Sequence, residues 1–220
     1  MRTFVRGLGE LLITFGVVVV LFAAYELWGT GLYTQRQQHS LQHTLQRRWT
    51  KPAPDRPRLA HVPFGQGFAI IWMPRFGRDY HYAIVQGVGV EDLKKGPGHY
   101  PGTAMPGRVG NFVVSGHRTT YLAPFNRINE LHKGDAIIIE TRSTWYTYRV
   151  DDEDVVDPTD IKVVAPVPYH PAKKPTRRLI TLTTCNPKYS AATRLIVFGR
   201  LAGKRPKSEG PPTVLAKAKA

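Results

Sequence analysis

Residues 179–201, "LITLTTCNPKYSAATRLIVFGRL", decide how the chain reads. Leu179 to Cys185 is a β-branched, apolar run, Asn186-Pro187-Lys188-Tyr189-Ser190 supplies turn chemistry, and Thr193 to Leu201 is a second run of strand type. The spacing predicts two antiparallel strands. In such a pair the end of the first strand and the start of the second share one rim of the sheet, so Cys185 and Arg194 are expected to face each other across the loop. Cys185 is the only cysteine in the chain.

Outward from this hairpin the same punctuation recurs. "FAIIWMP", "YHYAIVQGV", "NFVVSGH", "DAIIIETRS", "TWYTYRVDDEDVVD" and "IKVVAPV" are short strand-like runs, and the 20 glycines and 18 prolines sit between them. "EDLKKGPGHYPGTAMPG" reads as a helical turn and a Gly/Pro loop, and "TTYLAPFNRINELHKGD" as a short helix and a turn. Seven or eight strands without a βαβ rhythm predict a mostly β domain, an antiparallel barrel or sandwich.

The 220 residues suffice for one such domain with appendages. Leu11 to Tyr25 carries no charge, and the apolar character extends from Leu8 to Trp28 if Glu10 and Glu26 lie at the interfaces. Such a stretch covers roughly 30 Å as a helix, one hydrocarbon core. A cleaved signal peptide is the competing reading. The length of the run, the lack of a small-x-small site, and Tyr25 and Trp28 at its end favour an uncleaved anchor. Arg2 and Arg6 precede the span and the next basic residue is Arg36, which places the N-terminus in the cytoplasm and the rest outside. The expected organisation is an anchor over 1–28, an extracellular stalk over 29–60, a β domain over 61–203 and a basic disordered tail over 204–220. The Leu32, Leu41 and Leu45 spacing permits a helix within the stalk, and "KPAPDRPRLA" an extended connector.

The formal net charge is +15, much of it near the membrane and in the tail. No RNA-binding signature, zinc-finger spacing or basic heptad accompanies it, so nucleic acid is not expected as a partner. One cysteine makes no intramolecular disulfide, and no His pair stands near it at zinc-ligand spacing. Asp151-Asp152-Glu153-Asp154 offers oxygens for Ca²⁺ but lacks a Gly-bearing loop pattern. It reads as a solvated hairpin end, and no cofactor or metal is expected.

A nucleophilic thiol needs an imidazole within hydrogen-bond reach. His39 and His43 fall in the stalk, His170 among prolines and His132 in a turn, while His61, His81 and His99 are not excluded by chemistry. His117 fits best, ending the strand "NFVVSG" behind a Ser-Gly pair. Each member also has an ordinary reading: a packing thiol, a solvated turn histidine followed by Arg and Thr, a surface arginine.

"TLTTC" at 181–185 fits the TLxTC signature of sortases, cell-surface cysteine transpeptidases of Gram-positive bacteria. With "VVSGHRTTYLAPF" and "GPGHYPGTAMPGRVGNF", the chain resembles the class E sortases of actinobacteria over about residues 61–203. The resemblance implies a closed, mixed eight-stranded barrel with short helices. It implies Cys185 as nucleophile, His117 as general acid and base, and Arg194 as the donor to substrate and oxyanion. It also implies a sorting-signal peptide of secreted proteins as substrate, LAxTG rather than LPxTG, and a peptidoglycan-precursor amine as acceptor. Tyr100 looks like the tyrosine associated with the alanine preference, its phenol offering one hydrogen bond to the peptide. A pilin-polymerising sortase, a hydrolytic cysteine protease and a non-enzymatic basic wall-binding module are the alternatives.

Overall fold

The apolar runs become strands because each is bounded by residues that cannot continue a ladder. The computed structural model describes residues 2–25, 30–50 and 62–218; Glu26, Trp28, the proline cluster at 51–60 and His61 lie outside them. Eight strands form a closed barrel: β1 (Gly67–Trp72), β2 (His81–Gln86), β3 (Gly98–His99), β4 (Gly110–Ser115), β5 (Ala136–Glu140), β6 (Thr144–Val156), β7 (Arg178–Asn186) and β8 (Thr193–Pro206). Around the barrel the order is β1-β2-β3-β4-β7-β8-β6-β5, with β1 closing on β5. Two neighbours, β2–β3 and β4–β7, are parallel and the rest antiparallel, which settles the choice between barrel and sandwich for a mixed barrel.

The barrel interior is filled from alternate positions. Ile71, Ile84, Phe112, Val114, Ile137, Ile139, Tyr148, Ile180, Leu182 and Val197 form one buried cluster. Loss of any one of these to Ala would cost about 2–5 kcal/mol.

Helix α1 (Arg2–Ala24) is long and apolar enough to cross a membrane. Helix α2 (Thr30–Thr50) lies along the barrel wall. Its polar composition hides this contact, because much of it is made by an amide. Gln38 Oε1 accepts from Ala83 N at 2.7 Å, and its Nε2 donates to the carbonyls of Ala83 at 3.1 Å and Lys95 at 2.7 Å. Strand β3 is only two residues long and pairs with β2 at Val85 and Gln86, so the edge of β2 at Ala83 is left for a side chain to fill. Below it, Leu41 and Leu45 pack on Ile70 and Ala83.

Three further segments differ from the sequence expectation. Ile161–Val164 is a 3-10 turn, since Asp160 accepts from Lys162 N and the prolines at 166 and 168 lack the N–H a ladder needs. The acidic run lies inside β6, with Asp152, Glu153 and Asp154 opposite Phe198, Val197 and Ile196, rather than at a hairpin end. Residues 204–218, expected as a disordered tail, continue β8 to Pro206, turn at Lys207–Glu209 and form α3 (Thr213–Ala216). Leu215 is buried against Ala136, Ile138 and Trp145, and Lys207 Nζ sits 2.6 Å from Glu140 Oε1 and 4.0 Å from the Trp49 ring centroid. Composition made this segment look solvated, whereas two specific partners hold it.

Candidate active site

Two parallel strands bring the cysteine and the histidine to one rim. Ser115, the last residue of β4, is paired with Thr183 of β7. Cys185 lies two residues beyond Thr183 and His117 two beyond Ser115, so both leave the ladder at the same end. Parallel neighbours lie about 4.8 Å apart. The pairing persists past the last β4 residue: Gly116 N donates to Thr183 O at 3.1 Å, and Thr184 Oγ1 donates to Gly116 O at 2.7 Å. Across the other side of β7, Cys185 is directly opposite Arg194 of β8, which puts the two side chains on one face. Ile180 and Leu182 point into the barrel interior, so the alternate row Thr181, Thr183 and Cys185 lies on the other side of the wall, where Thr181 and Thr183 are covered and Cys185 is half-buried. The thiol is free.

The loop after β4 folds back over itself. His117 O accepts from Phe125 N at 3.0 Å, and the His117 ring packs on Tyr121 with centroids 4.9 Å apart. Gly116 admits this closure, because a β-carbon there would stand 2.7 Å from the Phe125 ring. Burial pushes the His117 imidazole below its ordinary range, so the neutral form is favoured. Its Nε2 is buried without a hydrogen-bond partner among the described residues.

Arg194 turns its guanidinium to its own loop, Nη1 donating to the carbonyls of Ala191 and Thr193, both at 3.0 Å. The guanidinium bonded to the nucleophile's main chain belongs to Arg118, which sequence reasoning did not single out. Arg118 is 6% exposed. Its Nη1 donates to Cys185 O at 3.2 Å and Asn186 Oδ1 at 2.9 Å, and its Nη2 to Asn129 Oδ1 at 3.1 Å. Burial lowers its pKa, against which a thiolate at Cys185 would act by Coulomb attraction. The only sequence signal was its place directly after the strand-end histidine, and the same pattern is ordinary in a solvated turn.

Tyr100 is half-buried and its N–H donates to Val113 O at 2.9 Å, which sets it beside the middle of β4, four residues before His117. Along a strand this is roughly 13 Å, a distance an extended peptide of four residues spans. A cleft of about 260 Å³ opens further along the same wall, lined by Thr103, Val109, Asn111, Val164, Pro166 and Pro175.

Two of the other histidines, His99 and His81, are otherwise employed. His99 is buried between the rings of Phe68 and Phe112, its Nδ1 2.8 Å from Gln86 Oε1 and its Nε2 2.9 Å from Thr103 Oγ1. His81 stacks on Trp72 at 4.1 Å and lines a larger cavity of about 540 Å³ with Trp49, Trp145 and Lys207. That cavity lies at the far end of β8, since Trp145 pairs with Arg205 whereas Cys185 pairs with Arg194. Asp151 is engaged with Arg200, and Asp154 accepts from Tyr169 Oη. Among the described residues no group of three His, Cys, Asp or Glu side chains could hold a metal ion.

A family model described as the sortase domain matches residues 71–202. Sortase SrtE1 of Streptomyces coelicolor is 37% identical over 218 residues, covering 96% of this chain and 60% of its own length. The chain thus spans less than two thirds of that relative. Sortase SrtE2 of the same organism is 30% identical over 211 residues, covering 90% of this chain and 81% of its own. Among solved structures, SrtF sortase from Corynebacterium diphtheriae superimposes with a TM-score of 0.71 at 31% identity, covering 76% of this chain and 100% of that one.

Proposed function

The chain belongs to the sortase family, and from that premise we propose that it is a membrane-anchored, class E-like transpeptidase in which Cys185, His117 and Arg194 do the chemistry. Cys185 gives its thiol proton to the neutral His117 imidazole, and its Sγ attacks the carbonyl carbon of the threonine in a sorting signal. The C–N bond to the following glycine breaks, and the departing amine takes its proton from His117. A thioacyl-enzyme remains. An incoming amine then attacks it, a new amide C–N bond forms, the C–S bond breaks, and His117 accepts the proton the amine releases. Arg194, opposite the nucleophile on the same face, donates to the oxyanion of each tetrahedral intermediate. To do so its guanidinium leaves the carbonyls of Ala191 and Thr193.

The observation that carries this reading is the parallel β4–β7 pairing, with Ser115 opposite Thr183, which supports convergence of His117 and Cys185 at one rim. The neutral bias of His117 favours a resting pair in which the imidazole is mostly unprotonated. We assign the substrate as an LAxTG-like signal, with Tyr100 hydrogen-bonding the peptide at the alanine, and the acceptor as a cell-wall precursor amine. Helix α1 serves as a single-pass anchor, with Arg2 and Arg6 on the cytoplasmic side and the barrel outside.

Mass spectrometry of the protein after exposure to an LAxTG peptide tests the reading. An acyl adduct on Cys185, absent in Cys185→Ala, is expected. Equal peptide cleavage with and without an amine acceptor would leave a hydrolytic cysteine protease instead. A lysine side chain preferred over a wall-type amine would make it a pilin polymerase.

A further inference from the structure

Helix α2 presents one face to the barrel along its whole length, and the order of its contacts fixes which end of the barrel lies next to the membrane span. A methyl group placed on Gly31 would touch Leu122 Cδ2 at 3.9 Å, and Leu122 follows Tyr121, whose ring packs on His117. Next, Thr34 Oγ1 donates to Lys94 O at 2.8 Å, then Gln38 bonds Ala83, and Gln42 Oε1 lies 3.3 Å from His81 Nε2. At the other end Trp49 receives Lys207. These positions recur at three or four residues, one face of a helix. At ~1.5 Å per residue, α2 carries the chain roughly 30 Å from the catalytic end of the barrel to the opposite one.

Gly31 is seven residues on from Ala24, the end of α1. Seven residues span at most roughly 25 Å even when fully extended. The catalytic loop is therefore tied close to the end of the apolar helix, and the Trp49–Lys207 end is the distal one.

The surface at the catalytic end suits that position. Tyr189, in the loop between Cys185 and Arg194, is 84% exposed, and Leu32 and Tyr33 at the start of α2 and Leu122 in the loop after His117 are exposed as well. Lys188 Nζ donates to Asn126 Oδ1 and so ties the Tyr189 loop to the one that carries Leu122. Tyrosines whose rings are half apolar and half polar, with an adjacent lysine, belong at the headgroup level of a bilayer. The distal surface carries Lys204, Lys207, Ser208 and Glu209 instead.

We propose that the mouth of the site is a membrane-docking surface: Leu32, Tyr33, Leu122 and Tyr189 rest at the headgroup layer, and the enzyme is addressed to peptides displayed at that layer. The proposal rests on the reading of α1 as an anchor. Its test uses the full chain with Cys185→Ser, so that a fluorophore can be attached at one introduced cysteine, and vesicles of phosphatidylcholine and phosphatidylglycerol carrying spin-labelled lipid. Labels are placed at Val19→Cys, Tyr189→Cys and Ser208→Cys. Val19 is expected to be quenched by acyl-chain spin labels, and Tyr189 to be quenched by headgroup spin labels several-fold more than Ser208. Quenching at Tyr189 no greater than at Ser208, with Val19 in the acyl chains, overturns the docking surface and leaves the anchor standing. A Val19 label that the acyl-chain probes do not reach overturns both.

Discussion

Arg118 Nη1 donates to the main-chain carbonyl of Cys185 at 3.2 Å while the same guanidinium grips Asn186 and Asn129. A buried cation thereby fixes the carbonyl end of the nucleophile's own residue to the loop that follows His117. Hydrogen bonds to charged groups contribute about 1.5–3 kcal/mol each. Arg118→Met is expected to lower kcat/KM by roughly 10- to 100-fold, the equivalent of one such bond, and to displace the pH profile of Cys185 alkylation. Arg118→Lys restores the charge but not the fork, and should recover the alkylation profile more fully than kcat/KM. An unchanged alkylation profile in Arg118→Met would show that the residue acts on stability alone.

Arg194 should be less tolerant than its present contacts suggest. Two main-chain carbonyls hold it at rest, and a lysine could satisfy those. If it also meets the oxyanion, Arg194→Lys lowers kcat by about 10²-fold or more with little change in melting temperature. Steady-state kinetics beside a thermal melt separates the two roles.

Acid should loosen the barrel through His99. Burial lowers its pKa from the ordinary 6.5 to about 4. The unfolded chain binds a proton at this position near pH 6.5 and the folded one does not until about pH 4. Stability from this group is therefore whole above pH 6.5 and lost as pH falls toward 4, at most about 3 kcal/mol. His81 and His117, both lowered by burial, act in the same sense. Urea unfolding at pH 7 and pH 4.5 measures the slope, and His99→Gln should flatten it.

Gln38→Leu keeps the volume and deletes the amide. Three main-chain groups, Ala83 N, Ala83 O and Lys95 O, lose a partner at once. A loss of about 2–3 kcal/mol is expected, together with faster amide exchange at Ala83. Equal exchange in the two proteins would mean that another group fills the β2 edge.

Lys207→Met should cost about 3 kcal/mol, because Glu140, 6% exposed, keeps among the described residues only its bond from Trp72 Nε1 at 3.0 Å. The double variant with Glu140→Gln should recover part of that loss. Turnover below the melting temperature should not change, since this pair lies at the distal end.

Most of the strands were legible because they rest on local signals, apolar runs cut by Gly and Pro, and the same runs put Cys185, His117 and Arg194 at or beside strand ends. What escaped rests on contacts between distant residues. Helix α2 is polar, so the hydrophobic periodicity that announces a docked helix is faint, and an amide at Gln38 replaces it. The segment from Lys204 onward has the composition of a solvated tail, and only Glu140 and the tryptophans reveal otherwise. Arg118 looked like a turn residue because burial of a guanidinium is set by Cys185, Asn186 and Asn129, none of them adjacent to it in the chain. Ile161–Val164 carried strand residues, and its neighbouring prolines decided against a ladder.

Parallel neighbours impose a topological freedom that an antiparallel hairpin lacks. The excursion between Ser115 and Arg178 must travel from one rim to the other before β7 begins, yet its length does not enter the lateral distance at which His117 and Cys185 emerge. The length of the segment from Pro166 to Arg177 thus does not set the separation of the reacting pair, whereas Asp157, which feels the charge of Arg194, and Val163 and Ala165, whose carbonyls accept from Asn111 of β4, are the points at which the crossover is tied to the barrel.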